Sequence, residues 1–143
     1  MANTGAASTH FQVAANRFRT DGPWQYDVAP GATLEDYFSV VTYGGGRYDL
    51  TLSGPNGFAR QYVGDLNTAC GALEVNPALD PAAGTVTLTF TNRGAAPVTF
   101  TTAAERYRTD GPWTTLVAPG ATETLRFDLA AMGQRWYALT VTA

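Results

Sequence analysis

Apolar and polar residues alternate with a period of two through much of the chain. Val86, Leu88 and Phe90 stand between Thr85, Thr87, Thr89 and Thr91, and Tyr137, Leu139 and Val141 are interleaved with Ala138, Thr140 and Thr142. A period of two predicts half-buried β-strands. No window keeps the 3.6-residue apolar spacing of a helix through three turns, and the β-branched and aromatic content suits a pleated surface, so no long helix is expected. Turn residues punctuate the strands: Asp21-Gly22-Pro23 and Pro30-Gly31 early in the chain, Asp110-Gly111-Pro112 and Pro119-Gly120 late in it. Proline suits the second position of a turn and glycine supplies positive φ. The clearest hairpin is Gly54-Pro55-Asn56-Gly57, which predicts antiparallel strands over residues 48–53 and 58–63.

The pattern also repeats over a long distance. Residues 3–54 recur without a gap as residues 92–143, with about half of the aligned positions identical. The stretch Arg17 to Trp24 returns as Arg106 to Trp113, and Val28 to Thr33 as Val117 to Thr122. Two tandem modules follow from this, but unequal ones. The second copy has two strands ahead of the shared block, near residues 72–79 and 85–92, while the first begins inside the end of the second of these. The first copy runs on past the shared block into a strand near residues 58–65. The fold class is therefore all-β: two tandem antiparallel β-sandwich copies of immunoglobulin or fibronectin type, each incomplete, packed together so that open edges are covered. The boundaries are a first copy over 2–66 lacking its early strands, a linker over 67–71, and a second copy over 72–143 lacking its last strand.

Composition narrows the function classes. The formal charge of −3 and the absence of a dense basic patch argue against a nucleic-acid partner. All nine basic residues are arginine; there is no lysine and no isoleucine, which reads as the bias of a GC-rich genome. No segment is apolar for long enough to span a membrane as a helix, and no signal-peptide pattern opens the chain. Cys70 has no second cysteine to pair with. His10 is the only histidine and lacks companions at metal-ligand spacing. Neither a nucleophile elbow nor a phosphate loop occurs, and the Gly44-Gly45-Gly46 run reads as a turn between strands. No catalytic residue, metal ligand or cofactor is assigned.

Two residue sets remain as candidates. Asp21, Gly22, Pro23, Trp24, Pro30 and Gly31, with their copies Asp110, Gly111, Pro112, Trp113, Pro119 and Gly120, are shared and so read as repeat core and turns, with the tryptophans plugging the sandwich and each nearby arginine paired to a carboxylate. An Arg–Asp–Trp grouping also suits a phosphate or a quaternary ammonium, the weaker alternative. Tyr26, Tyr37, Tyr43, Arg47, Phe58, Arg60 and Tyr62 belong to the first copy, whose aligned partners at the first four are Thr115, Arg126, Met132 and Trp136. Copy-specific aromatics and arginines are the candidate lipid or partner surface.

The runs Val28 to Thr33, Gly46 to Arg60 with Gly64 and Asp65, Leu88 to Gly94, and Trp136 to Ala143 resemble the tandem C-terminal domain of bacterial phosphocholine-preferring phospholipases C. The resemblance implies a secreted, extracellular enzyme that hydrolyses phosphatidylcholine or sphingomyelin, with its phosphoesterase domain upstream of Met1 as the partner of this region. It implies a non-catalytic accessory role, bracing that domain or contacting phospholipid membrane. A carbohydrate-binding or adhesive sandwich is the alternative.

Overall fold

The computed structural model describes residues 1–143, Gly133 left aside. Ten strands follow one another: β1 (Thr9–Arg17), β2 (Trp24–Val28), β3 (Arg47–Ser53), β4 (Ala59–Asp65), β5 (Leu73–Asp80), β6 (Thr85–Asn92), β7 (Val98–Arg106), β8 (Trp113–Val117), β9 (Thr122–Asp128) and β10 (Ala138–Thr142). Every pairing between them is antiparallel, so the all-β fold expected from alternation is the one observed. The chain divides into two compact units, Met1–Gly71 and Ala72–Ala143.

Unit 2 is built from two three-stranded sheets, in the orders β10-β7-β8 and β5-β6-β9. Alternation in β6 sends Val86, Leu88 and Phe90 to one side, where they meet Phe100 of β7, Val117 of β8 and Phe127 of β9 in one buried cluster. The Phe90 and Phe100 rings sit 5.0 Å apart and join the two sheets. Each buried side chain of this size contributes roughly 1.5–3 kcal/mol. Leu129 and Met132, from the turns after β9, close the end of the cluster.

Unit 1 forms one four-stranded sheet, β2-β1-β3-β4. The strands β1, β2 and β3 are the counterparts of β7, β8 and β10, and β4 extends the sheet through the Gly54 to Gly57 turn, where Asn56 and Gly57 take φ of 57° and 74°. The counterpart of β9 is residues 33–39, and it is not a strand. In unit 2, β9 is held by β6 along its whole length. In unit 1 only residues 1–3 align with β6, and the ladder reduces to the bridge Ala2–Thr33, which occupies the register of the Thr91–Thr122 pair.

After residue 39 unit 1 departs again. Ser39 caps a short helix, α1 (Val40–Gly44), by accepting from Thr42 N at 3.3 Å, and Gly45 ends it at φ 61°. Gly44-Gly45-Gly46 therefore closes a helix and leads into β3, which corrects the expectation that it follows a strand.

A buried asparagine recurs in both units. Asn92 is fully buried; its Nδ2 donates to Ala96 O at 2.8 Å and Val117 O at 3.1 Å, and its Oδ1 accepts from Gly94 N at 2.9 Å. Asn3 does the same with Ala7 O, Val28 O and Gly5 N at 2.8, 2.9 and 2.9 Å. Each ties the loop entering β1 or β7 to the end of β2 or β8 and leaves no amide group of its own unpaired.

Candidate functional site

The turn after β1 carries the most closely repeated residues. Phe18 takes φ 70°, a left-handed conformation that turns the chain sharply, and Tyr107 does so at 73°. Arg19 then reaches back to Asp21, donating from Nε at 2.9 Å and Nη2 at 2.7 Å. Its guanidinium lies 4.6 Å from the Trp24 ring, 4.6 Å from Tyr43 and 5.7 Å from Phe38, with only 5% of the side chain exposed. Trp24 and Phe38 meet edge to face at 4.8 Å. In unit 2, Arg108 pairs with Asp110 and stacks on Trp113 at 4.9 Å and Phe127 at 5.4 Å. The hydrogen bonds hold Asp21 and Asp110 below the usual carboxylate range and raise both arginines. The indole faces that would attract an outside cation are thus taken by the chain's own arginines.

Trp24 and Trp113 are both half-buried, and Trp113 packs against the core cluster of unit 2, meeting Phe127 edge to face at 4.9 Å. Each ring lies across the preceding glycine, so that a Cβ on Gly22 or Gly111 would stand 2.9 or 2.8 Å from ring carbons, while the arginine covers the ring at 4.6 or 4.9 Å. Pro23 and Pro112 follow cis bonds in both turns, and Gly31 and Gly120 take φ of 67° and 69° after Pro30 and Pro119.

The copy-specific residues fall into two groups. Register places Tyr26 opposite Phe11, Arg60 opposite Leu52 and Tyr62 opposite Leu50, with Leu52 opposite Val13. Tyr26, Arg60 and Tyr62 therefore share the apolar face of the sheet, and Phe58 joins them by packing its ring edge-on to Phe11 at 5.8 Å. Arg60 stacks on Phe58 at 5.0 Å. In unit 2 the aligned face, with Phe100 and Val117, is the one that meets the second sheet. Tyr62 at the β4 edge is 40% exposed. Tyr26 donates its hydroxyl to Asp36, and burial together with that bond pushes its pKa up to about 12. Tyr43 stands apart at the Arg19 cluster, Arg47 starts β3 and stacks on Phe18 at 4.7 Å, and Tyr37 is exposed in the loop before α1.

The opposite face holds a polar cluster that sequence reasoning missed. Asp49, 7% exposed, accepts from Asn16 Nδ2 at 2.8 Å and Gln61 Nε2 at 2.7 Å. These bonds, then the nearby charge of Arg17, hold its carboxyl below the ordinary range although burial opposes them. Asn16 is the extra residue of a bulge between Ala15 and Arg17, and β-bulges re-aim side chains in this way. The alignment carried a signal: unit 2 has Ala138 for Asp49 and Glu105 for Asn16. The Asn3 and Asn92 pair was legible too, as the identical Asn-x-Gly-Ala-Ala runs. His10 Nδ1 lies 2.9 Å from Asp27 Oδ1 at an exposed strand pair. Among the described residues, no three His, Cys, Asp or Glu side chains converge as a metal site.

Both units carry one family pattern: the family described as bacterial phospholipase C, C-terminal domain, matches residues 1–65 and again residues 73–143. The chain belongs to this family. It is a tandem pair of phospholipase C C-terminal domains. The chain is similar to a non-hemolytic phospholipase C of Burkholderia pseudomallei, 39% identical over 145 residues, covering 99% of this chain and 20% of that protein. It is likewise similar to a non-hemolytic phospholipase C of Pseudomonas aeruginosa, 33% identical over 147 residues, covering 99% of this chain and 21% of that protein. The chain thus spans about a fifth of the length of these relatives. In them it corresponds to a C-terminal domain of a much larger enzyme.

Proposed function

We propose that this tandem domain is a non-catalytic accessory region of a secreted phospholipase C acting on phosphatidylcholine or sphingomyelin, and that unit 1 braces the enzyme's phosphoesterase portion. The observation that carries the reading is the shared apolar face of β2, β1, β3 and β4. Tyr26, Phe58, Arg60 and Tyr62 lie on it with Leu50 and Leu52, beside Phe11 and Val13, which the chain already buries, and Tyr62 at its β4 edge is 40% exposed; the same face in unit 2 packs against a second sheet. A face of this kind suits packing against protein: the aromatic rings are large anchors, and Arg60 supplies a planar polar rim. The occupant is a part of the same polypeptide, since the relatives carry roughly four-fifths of their length outside the matched region.

Amide exchange of the chain by itself, compared with the chain within the full-length enzyme, tests the brace. Protection at β4, above all at Tyr62 and Val63, is expected to rise in the full-length protein. Identical exchange in both forms would remove the brace. Phosphodiesterase activity of the 143-residue chain alone would overturn the non-catalytic reading.

A further inference from the structure

The ladder that joins β6 to β9 in unit 2 starts in unit 1 with the same bonds. Asn3 N donates to Ala32 O at 2.9 Å, as Asn92 N does to Ala121 O at 3.1 Å. Ala2 bridges Thr33 in the register of Thr91 and Thr122. Met1 then stands where Phe90 stands. Its amine donates to Leu34 O at 2.7 Å and its carbonyl accepts from Leu34 N at 2.8 Å, the place of the Phe90–Glu123 pair.

Beyond Leu34 one side of this ladder continues. In an antiparallel ladder the residues whose N–H and C=O face the same neighbour alternate, so after Leu34 they are Asp36 and Phe38, the counterparts of Leu125 and Phe127. Among the described residues neither of these two N–H groups finds an acceptor, whereas Tyr37 N, between them, donates to Asp36 Oδ1 at 2.7 Å. The side chains alternate as in a strand. Asp36 accepts from the Tyr26 hydroxyl, and Phe38 meets Trp24 edge to face at 4.8 Å, as Phe127 meets Trp113 at 4.9 Å, while Tyr37 between them is 84% exposed. In unit 2 the neighbour is β6, whose Val86, Leu88 and Phe90 belong to the cluster that Leu139 and Val141 pack against. The counterparts of Leu139 and Val141 are Leu50 and Leu52.

We infer that unit 1 is a strand acceptor: in the full-length enzyme the residues leading into Met1 lie along residues 34–38 as β6 lies along β9, and their inward side chains cover Leu50 and Leu52. The inference rests on the reading that the same polypeptide covers the apolar face, and it names the segment. In the relatives the matched region is a C-terminal one and about four-fifths of the length lies outside it, so polypeptide leads into it. Main-chain bonds hold such an added strand, and its alternating side chains fix the register. The counterparts of Leu88 and Val86 fall two and four places ahead of Met1 and are expected to be apolar.

The test compares amide exchange in three proteins: the 143-residue chain, the same chain lengthened at its start, and the full-length enzyme. The added segment is the natural sequence ahead of Met1, about twenty residues, the span of β5 and β6 with their turn. The Asp36 and Phe38 amides are expected to exchange about a hundredfold more slowly in the lengthened chain than in the 143-residue chain, and as slowly in the enzyme. Proline two places ahead of Met1, where an N–H would face Asp36 O, is expected to restore fast exchange at Asp36 and to leave β1 and β3 unchanged. Fast exchange at Asp36 and Phe38 in either longer protein, charged residues at both counterpart positions, or slowing that survives the proline would overturn the strand. Slower exchange at Tyr62 and Val63 in the enzyme, without slowing at Asp36 and Phe38, would keep the brace and remove this inference alone.

Discussion

Unit 1 and unit 2 begin from the same strands and end with different layers. In both, an Arg–Asp pair and a tryptophan close the same turn, and a buried asparagine ties the same loop. Around that shared frame, unit 2 buries Phe90, Phe100 and Val86 between two sheets, each at most 1% exposed. Among the described residues unit 1 has no such inter-sheet cluster; Phe11, the counterpart of Phe100, is 7% exposed and leans on Phe58 from the turn that leads into the added β4. Where two copies keep the same residues they keep a way of turning the chain. Where they diverge, one spends its aromatics on an inter-sheet core and the other on a sheet face with an extra strand.

The largest test of that contrast is in the packing. Phe100→Ala is expected to destabilise unit 2 by about 4–5 kcal/mol and Phe11→Ala unit 1 by about 3 kcal/mol, since the cost of a cavity grows with how tightly the site is enclosed. Urea unfolding followed unit by unit through amide signals measures both; equal losses would mean the two faces are equally enclosed. A smaller difference is expected at the paired turns. Gly111 takes φ 98° whereas Gly22 is not in the left-handed region, though both lie under a tryptophan ring. Gly22→Ala is expected to cost about 1–2 kcal/mol through overpacking and Gly111→Ala about 2–3 kcal/mol through overpacking plus backbone strain. Equal effects on the two melting transitions would locate the cost in the ring contact alone.

The smallest effect is a pH dependence that is larger in one unit than in the other, since the Asp21 and Asp110 pairs are common to both. Asp49 has its folded-state pKa lowered by the Asn16 and Gln61 bonds. A depressed carboxylate contributes stability that is fully present above its unfolded value, near 4, and is lost as pH falls through the folded value. Unit 2 has Ala138 at this place, so unit 1 should loosen first on acidification, and Asp49→Asn should narrow the gap between the units. Acid transitions that coincide in the unsubstituted chain would count against this role.

Much of the fold was legible in the sequence because it is written locally. Period-two alternation marks β6 and β10, and the Gly54 to Gly57 turn fixes the β3–β4 hairpin within a dozen residues. The two strands peculiar to the start of the second copy appear as β5 and β6. What escaped depends on distant partners. Residues 33–39 match β9 in sequence but lack a full β6 alongside, and no local signal says whether a strand finds its neighbour. The tryptophans read as core residues because bulk suggests burial; the glycine beneath each ring and the arginine above it are contacts that bulk alone does not announce. The candidate surface was half legible: comparison of the copies singled out Tyr26, Phe58, Arg60 and Tyr62, and register brings them to one face. It did not reveal that Arg17 and Arg47 would share the ring of Phe18, a contact between strands separated by α1.

The short turn between β3 and β4 also bears on the order in which the chain acquires its shape. A hairpin closed by residues 54–58 brings together segments only a few positions apart, the kind of pairing that forms in roughly 1–10 μs. In unit 2 the strands β6 and β9 are joined only after β7 and β8 have been accommodated between them, about thirty residues later in the chain, and loop closure of that length carries a larger entropic toll. Unit 2 has an equally local start in the β5–β6 hairpin, where Asp80 stands opposite Thr85, so both units can nucleate locally and the core of unit 2 is the part that waits for the longer closure.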